Sequence, residues 1–339
     1  MVNRYVLGAD EITQIQSLLS ALTQRHETLD DDDFLTKAHL YAHELPRGVK
    51  EFLNDFKYLE PDGGGCIISG YPIDEEKVGP TPAHWNVREG AMRTFEEELL
   101  FVLYSSLLGD LVSWATQQNG RLIHNVMPIR EYEDSQLGNG SAQKLWWHIE
   151  DAFHPYRGDY VGLMCLRNPD QIPTTIGCVS KVKIEPEYLD VLFKPHFKIR
   201  PDESHDPKNN VLSGDADPTF DSFERISEMN NNPPPFPVLF GSPDSPYVRI
   251  DPFYMLPPET EEAQAALDAL IDGIEANLVD VLLAPGDYLF IDNFRTVHGR
   301  KSFAARYDGK DRWLKRVNIT RDMRKSRPAR PSCSSPVIY

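Results

Sequence analysis

The sequence predicts a mainly β fold with helices, of the sandwich or jelly-roll type. Its 339 residues include 21 Gly and 27 Pro, a turn-rich composition that favours many short elements over a helical bundle. Short apolar segments bounded by turn residues are scattered among a few amphipathic helices. Strands in that arrangement are typical of sandwiches and jelly rolls, whereas a parallel sheet alternates strands with helices. We therefore expect a β core padded by helices.

Three segments have the periodicity of an amphipathic helix, with apolar residues recurring every three or four positions. They are 10–25, 94–111 and 259–281. Eight shorter apolar segments are strand candidates. They are 64–70, 121–129, 144–148, 160–166, 238–240, 247–250, 288–292 and 314–319.

The chain shows no internal repeat and no composition break, so one domain over 1–339 is expected. Its parts are a mainly helical N-terminal part at 1–115, a jelly-roll core at 116–326 and a tail at 327–339. The polar segment at about 201–220 fits no element, and a long polar loop in a compact domain is often a lid.

Charge and targeting signals restrict the possible partners. The net charge of −17 repels phosphate backbones, so we expect no nucleic-acid partner and favour cationic ligands. Four cysteines without CxxC spacing indicate reduced thiols. The N-terminus lacks a signal-peptide pattern, and the most apolar run, 99–108, is too short to span a bilayer. We expect a cytoplasmic protein without a membrane partner, and no oligomeric state is assigned.

The first candidate ligands lie in the run WWHIED at 146–151. Side chains alternate across a strand, so His148 and Glu150 project from one face if the strand includes both. An imidazole beside a carboxylate supplies two of the three ligands of a 2-His-1-carboxylate metal site. A bare HxE also occurs as an exposed pair without function, so the metal site requires a third ligand from elsewhere in the chain.

A second cluster follows the strand candidate at 288–292. His298 comes 150 positions after His148, and a jelly roll brings such distant strands side by side. Arg312 and Arg316 are four residues apart and therefore face one side of a strand. Two guanidinium groups in one cavity favour ligands with carboxylates, which Arg binds bidentately. The alternative, a pair of surface ion pairs, is disfavoured by the upstream ligand set.

These features resemble the iron(II)- and 2-oxoglutarate-dependent oxygenases: HxE, a distal histidine before Gly-Arg, and an arginine fourteen residues later. More narrowly, the chain resembles the clavaminate-synthase-like branch, above all the arginine and lysine β-hydroxylases of free amino acids. The similar segments are 113–120, 148–153, 159–163, 166–170, 200–205, 291–300 and 307–322. The resemblance implies a double-stranded β-helix (jelly-roll) core with helical packing. It also implies iron(II), with 2-oxoglutarate and O2 as cosubstrates.

The resemblance assigns the metal and cosubstrate contacts residue by residue. His148, Glu150 and His298 would ligate iron. Arg312 would hold the distal carboxylate of 2-oxoglutarate, and Thr174 would add a hydroxyl contact to it.

It also implies contacts to an amino-acid substrate, the expected small-molecule partner. Arg316 would hold the α-carboxylate and Gln117 the head group, while Glu150 would contact the α-ammonium as well as iron. Asp202 and Ser204 lie in the lid segment, which would close over the substrate.

Other polar residues near these motifs are interpreted as structural. His124 and His154 are surplus to a complete triad, and Asp292 and Asn293 are expected to shape the turn before His298.

The side-chain contact departs from the arginine hydroxylases, which clamp the guanidinium with an Asp-x-Asp pair. Here the first acid is Asp251, and Phe253 stands in place of the second. A guanidinium rewards two acceptors, whereas one carboxylate can satisfy an ammonium group. Asp251 with Phe253 therefore predicts lysine. The alternative is that a lid acid, Asp202 or Glu203, supplies the second contact and Phe253 only packs.

The function predicted from the sequence is an iron(II)- and 2-oxoglutarate-dependent dioxygenase that hydroxylates L-lysine at its β-carbon (3-hydroxylation), giving succinate and CO2. Alternatives are L-arginine 3-hydroxylation, hydroxylation of ornithine or citrulline, and a desaturation or other oxidative outcome on the same scaffold. A non-catalytic binding protein is disfavoured because the triad and Arg312 are complete.

Overall fold

A computed structural model describes residues 2–29, 32–86, 93–210 and 220–339. Its helices are α1 (Ala9–Thr23), α2 (Asp32–Ala42), α3 (Arg47–Leu59), α4 (Glu75–Val78), α5 (Phe95–Leu108), α6 (Pro186–Leu192), α7 (Phe220–Asn231) and α8 (Glu261–Glu275). Its strands are β1 (Asn3–Val6), β2 (Gly65–Ser69), β3 (Asp110–Trp114), β4 (His124–Val126), β5 (Leu145–His148), β6 (Tyr160–Arg167), β7 (Thr174–Cys178), β8 (Lys198–Ile199), β9 (Leu239–Ser242), β10 (Ser245–Val248), β11 (Met255–Leu256), β12 (Val279–Val281), β13 (Tyr288–Asp292), β14 (Thr296–Arg300), β15 (Trp313–Thr320) and β16 (Val337–Ile338).

Two sheets face each other and form the core. The larger sheet has the order β1-β2-β13-β6-β15-β3-β16, with β4 also paired to β15, and the smaller has the order β12-β7-β14-β5. Val161 and Leu289 of the larger sheet share one buried cluster with Ile176 and Val281 of the smaller. Strands far apart in sequence pair throughout, which is the jelly-roll arrangement. The predicted fold class is confirmed.

Helices cover the outer faces of both sheets. Leu19 of α1 and Leu53 of α3 belong to the same cluster as Phe290 on the larger sheet. Leu270 of α8 packs in a second cluster with Trp147 on the smaller sheet. None of the described helices is long and apolar enough to cross a membrane.

Two predicted helices are shorter than expected, because strands follow them directly. The helix expected over 94–111 ends at Leu108, and β3 begins at Asp110. Gly109 makes this possible, since a Cβ there would lie 2.2 Å from the carbonyl oxygen of Thr320. The helix expected over 259–281 ends at Glu275, and residues 279–281 form strand β12 at the edge of the smaller sheet.

Both ends of the chain contribute strands to the larger sheet. The N-terminal part, expected to be mainly helical, supplies β2, which matches the strand candidate at 64–70, and also β1 and β3, which were not predicted. The tail expected at 327–339 supplies β16, which pairs in parallel with β3.

The approach of β5 to β14 creates the candidate site. His148 on β5 stands directly opposite His298 on β14. Gly299 permits this contact, because a Cβ there would lie 2.8 Å from the carbonyl oxygen of Leu145 and 3.0 Å from the backbone nitrogen of Trp147. The absence of a side chain at Gly299 therefore lets the backbones of β14 and β5 approach each other, a role that the sequence pattern did not indicate.

We expect Gly299→Ala to destabilise the protein, because the added methyl group must push β5 away from β14. Overpacking of this kind lowers the free energy of unfolding by about 1–3 kcal/mol. Gly138→Ala is the matched control, since its Cβ would meet only Val126 at 3.5 Å and should change that free energy by no more than about 0.5 kcal/mol. Urea denaturation measures both, and equal losses would contradict this role of Gly299.

Candidate active site

The candidate site is a pocket between the two sheets. Ten of the eleven predicted site residues line it: His148, Glu150, Thr174, Asp202, Ser204, Asp251, Phe253, His298, Arg312 and Arg316. Gln117 is the eleventh and reaches the cavity through its hydrogen bond to Arg316. Of the predicted lid at 201–220, the residues 211–219 lie outside the described part of the chain, and α7 begins at Phe220.

Two imidazoles and one carboxylate converge at the centre of the cavity. Oε2 of Glu150 lies 3.2 Å from Nε2 of His298 and 3.7 Å from Nε2 of His148. Donors bound side by side to one ion, each about 2.1 Å from it, are separated by about 3 Å. Oε2 of Glu150 has no hydrogen-bond partner among the described residues. These three side chains could therefore hold one metal ion.

The histidine ring of His148 is oriented for metal binding. Its Nδ1 lies 2.7 Å from the carbonyl oxygen of Trp146. A carbonyl only accepts, so Nδ1 carries a proton and Nε2 is the nitrogen that a metal would bind. Burial lowers the pKa of His148, but Glu150 and Asp251 outweigh burial and raise it to about 9, so a metal bound at Nε2 would displace a proton.

Glu150 reaches the site by a different route from the one its spacing predicted. Strand β5 ends at His148, and Glu150 occupies a turn. Its backbone N–H donates to Oδ1 of Asn293 at 2.9 Å, and Nδ2 of Asn293 donates to the carbonyl oxygens of Glu150 and Gly158. The fully buried Asn293, expected only to shape a turn, fixes the position of this carboxylate.

Strong electrostatic interactions keep Glu150 ionised although it is buried. Its Oε1 forms an ion pair with Nη1 of Arg316. Burial disfavours the charged carboxylate, but Arg316, His148 and His298 outweigh burial and hold the pKa of Glu150 well below its ordinary value. Burial lowers the pKa of His298, which favours the neutral imidazole that a metal requires.

Arg312 and Thr174 lie on one wall of the cavity. Nη2 of Arg312 donates to the hydroxyl of Thr174 at 3.1 Å, and its Nε is buried without a partner in the described ranges. Burial lowers the pKa of Arg312 to about 10. A buried guanidinium with unused N–H groups can bind a carboxylate in a bidentate manner.

Arg316 is held by neutral partners as well as by Glu150. Its Nη2 donates to Oε1 of Gln117 at 3.2 Å and to Nδ1 of His124 at 2.7 Å. Burial and the Arg316 charge lower the pKa of His124 far below its ordinary value, so this histidine acts as a neutral acceptor. His124, interpreted from the sequence as structural, thus positions one of the cavity's guanidinium groups.

A hydrogen-bond network joins the start of the lid to the core through Asp151. Nε2 of His205 donates to Oδ1 of Asp151 at 3.1 Å, and Nδ1 of His205 is 2.7 Å from the hydroxyl of Thr116. Gln117 donates to Asp151 at 3.2 Å and to the hydroxyl of Ser204 at 2.5 Å. His205 is fully buried. We call this network the lid latch.

Two carboxylates and an aromatic ring line a further part of the cavity. Asp251 is buried, and burial raises its pKa to about 6 against the opposing effect of His148. The charge of Asp202 also raises it, so the two carboxylates lie within electrostatic range of each other. Phe253 is 47% exposed and contributes no polar group.

Five side chains that line or support the site were given no site role from the sequence: Asp151, His205, His124, Asn293 and Arg300. Three of them lie within or beside quoted motifs: Asp151 in the WWHIED run, His205 after Ser204 and Arg300 in the Gly-Arg pair. His124 and Asn293, interpreted as structural, act through contacts between distant segments, which spacing along the chain does not show.

Comparison with known proteins identifies the family. The sequence profile of the family described as "Taurine catabolism dioxygenase TauD, TfdA family" matches residues 224–318. The chain is 44% identical to the L-ornithine/L-arginine 3-hydroxylase of Catenulispora acidiphila, with 100% of both chains covered. The chain belongs to the TauD/TfdA family of dioxygenases. It is therefore a 2-oxoglutarate-dependent dioxygenase that hydroxylates an amino acid, and the predicted iron(II), 2-oxoglutarate and O2 are confirmed.

A solved structure and a more distant relative complete the comparison. The crystal structure of the non-heme iron oxygenase OrfP in complex with Fe, succinate and (3S)-hydroxy-L-Arg matches with a TM-score of 0.94 and 43% identity, covering 100% of both chains. An L-lysine 3-hydroxylase of C. acidiphila is 30% identical over 96% of this chain and 86% of its own.

The lid latch leads to a prediction about substrate affinity. His205→Ala removes one donor from the buried Asp151 and loosens the loop that carries Ser204. We expect the KM for the amino acid to rise about tenfold, in line with the loss of one hydrogen bond to a charged group, while the KM for 2-oxoglutarate changes less than about twofold.

Steady-state kinetics with each substrate varied in turn measures this split. Lys208→Ala is the control, because Lys208 lies on the same loop but its side chain is largely exposed. An equal rise in both KM values for His205→Ala would show a general structural role and contradict the latch.

Proposed function

We propose that this enzyme hydroxylates free L-arginine at C3, with L-ornithine as a second substrate, and forms succinate and CO2 from 2-oxoglutarate. The similarity to an ornithine/arginine 3-hydroxylase at 44% identity, against 30% for a lysine 3-hydroxylase, supports arginine over the lysine predicted from Phe253.

We assign the iron to His148, Glu150 and His298, on the convergence of their donor atoms. Iron(II) held there supplies the activation of O2 that is coupled to decarboxylation of 2-oxoglutarate. Arg312 and Thr174 would bind the distal carboxylate of that cosubstrate. The protein's own contribution is to place the substrate and exclude water.

The amino-acid head group would bind between Arg316, Gln117 and Glu150. Arg316 presents its guanidinium to the α-carboxylate, and Glu150 presents a buried carboxylate to the α-ammonium. Because Arg316 is already fixed by His124 and Gln117, the head group is held in one orientation. That orientation, with the side chain anchored elsewhere, brings C3 toward the metal.

One observation carries the choice of arginine: Asp202 of the lid lines the same cavity as Asp251. Two carboxylates can accept from two edges of a guanidinium, so the acid missing at Phe253 is replaced from another segment. A cation between them also offsets the mutual repulsion that raises the pKa of Asp251. Of the two lid acids considered from the sequence, Asp202 rather than Glu203 is the one that lines the cavity.

Ornithine is the second candidate because its ammonium group needs only one carboxylate. Asp251, buried at the cavity wall, can supply that contact.

The proposal is tested by determining which amino acid the enzyme converts to a product with one more oxygen atom. Wild-type enzyme is incubated with arginine, ornithine, citrulline or lysine, and products are analysed by mass spectrometry. We expect turnover of arginine and ornithine with hydroxylation at C3. Turnover of lysine with none of arginine would overturn the proposal.

A variant of Asp202 distinguishes its contribution to substrate binding from that of Asp251. Asp202→Asn keeps the Oδ1 acceptor for Ser204 but removes the charge, so kcat/KM for arginine should fall about 10- to 100-fold and that for ornithine much less. Asp206→Asn makes the same change on an exposed part of the loop and should leave both values unchanged. An equal fall for arginine and ornithine would refute the second contact.

A further inference from the structure

Arg300, the last residue of β14, is a third buried guanidinium of the cavity and has no role assigned so far. It is 4% exposed. Its Nη1 donates to the carbonyl oxygens of Ser141 at 3.3 Å and Lys301 at 3.1 Å. The ring of Phe303 lies against the guanidinium, with the ring centroid 4.9 Å from the central carbon of that group. Nε and Nη2 of Arg300 are buried and have no hydrogen-bond partner anywhere in the described ranges. A buried charged donor left unsatisfied is costly, so these two N–H groups indicate a ligand.

The strand register places Arg300 beside Arg312. Arg300 pairs directly with Thr174 across β14 and β7, and side chains of paired residues stand on one face with Cβ atoms about 5 Å apart. Thr174 in turn accepts from Arg312. The two guanidinium groups therefore flank the hydroxyl of Thr174, on the wall of the cavity that carries Arg312.

This wall carries uncompensated positive charge. Burial, then the Arg312 charge, lowers the pKa of Arg300 to about 9. No carboxylate of the described chain forms an ion pair with either guanidinium, and both line the same cavity. Two buried like charges without a counter-ion destabilise the folded protein, and an anion between them would relieve the repulsion.

We propose that Arg300 supplies a second guanidinium to the distal carboxylate of 2-oxoglutarate, beside Arg312, and so determines specificity for a 2-oxo acid with two carboxylates. The carboxylate has two oxygens with about four acceptor sites. Arg300 would donate to this carboxylate through Nε and Nη2, while Nη1 keeps its hydrogen bonds to the carbonyl oxygens of Ser141 and Lys301. The inference rests on the proposed role of Arg312, but not on which amino acid is hydroxylated.

The test compares two oxo acids that differ only at the far end. Under anaerobic conditions, calorimetry measures the Kd of the iron(II)-loaded enzyme for 2-oxoglutarate and for 2-oxopentanoate, which ends in a methyl group. We expect Arg300→Gln, which keeps a donor for Ser141, to weaken 2-oxoglutarate binding about 10- to 100-fold. Binding of 2-oxopentanoate should change less than twofold, and Arg300→Lys should recover part of the loss.

Other outcomes overturn the proposal. An equal loss for both oxo acids would show that Arg300 only supports the strand, and no loss for either would show that its free edge binds nothing. Arg306→Gln, a change at an exposed arginine paired with Asp170, is the control and should leave both Kd values unchanged. Because no amino acid is present, the result is independent of whether arginine is the substrate.

Discussion

The site depends on the burial of one ionised carboxylate, that of Glu150. An isolated charge in this position would cost several kcal/mol of stability. Arg316 from β15, His298 from β14 and His148 from β5 compensate it, so three strands remote in sequence must meet at one point. The same carboxylate, with one oxygen toward Arg316 and the other toward the imidazoles, links the proposed amino-acid head-group contacts to the proposed metal ligands. Fold and chemistry are thus specified by a common interaction.

Sequence patterns predicted what local periodicity and short motifs determine. The triad followed from HxE and from His298 before Gly-Arg, and β6, β13 and β15 followed from their apolar runs. Glu150, however, lies beyond the end of β5 and is placed by Asn293 from another segment. Helix α3 was missed although Val49, Leu53 and Phe56 form an apolar face. Gly109 and Gly299 matter because of backbones that approach from elsewhere, and no spacing rule reveals such contacts.

The proposal of arginine over the predicted lysine also depends on contacts between distant segments. The absence of an acid at Phe253 indicated lysine when the motif was considered by itself. In the folded chain Asp202 lines the same pocket as Asp251, and the network through His205 and Asp151 holds its segment against the core. In the proposed binding mode, specificity is distributed over two segments about fifty residues apart, one of which is a loop. A change in that loop would then alter the substrate without any change in the three proposed metal ligands.

The convergence of His148, Glu150 and His298 on one metal is tested most simply by an anaerobic titration of the protein with iron(II) and 2-oxoglutarate, followed by visible absorption. A cosubstrate chelated to iron gives a weak charge-transfer band, and we expect that band at one iron per chain. His298→Ala should abolish the band while the protein remains folded by circular dichroism. Wild-type protein that shows no band at saturating iron and 2-oxoglutarate, or an undiminished band in His298→Ala, would contradict the convergence of these three side chains on one metal.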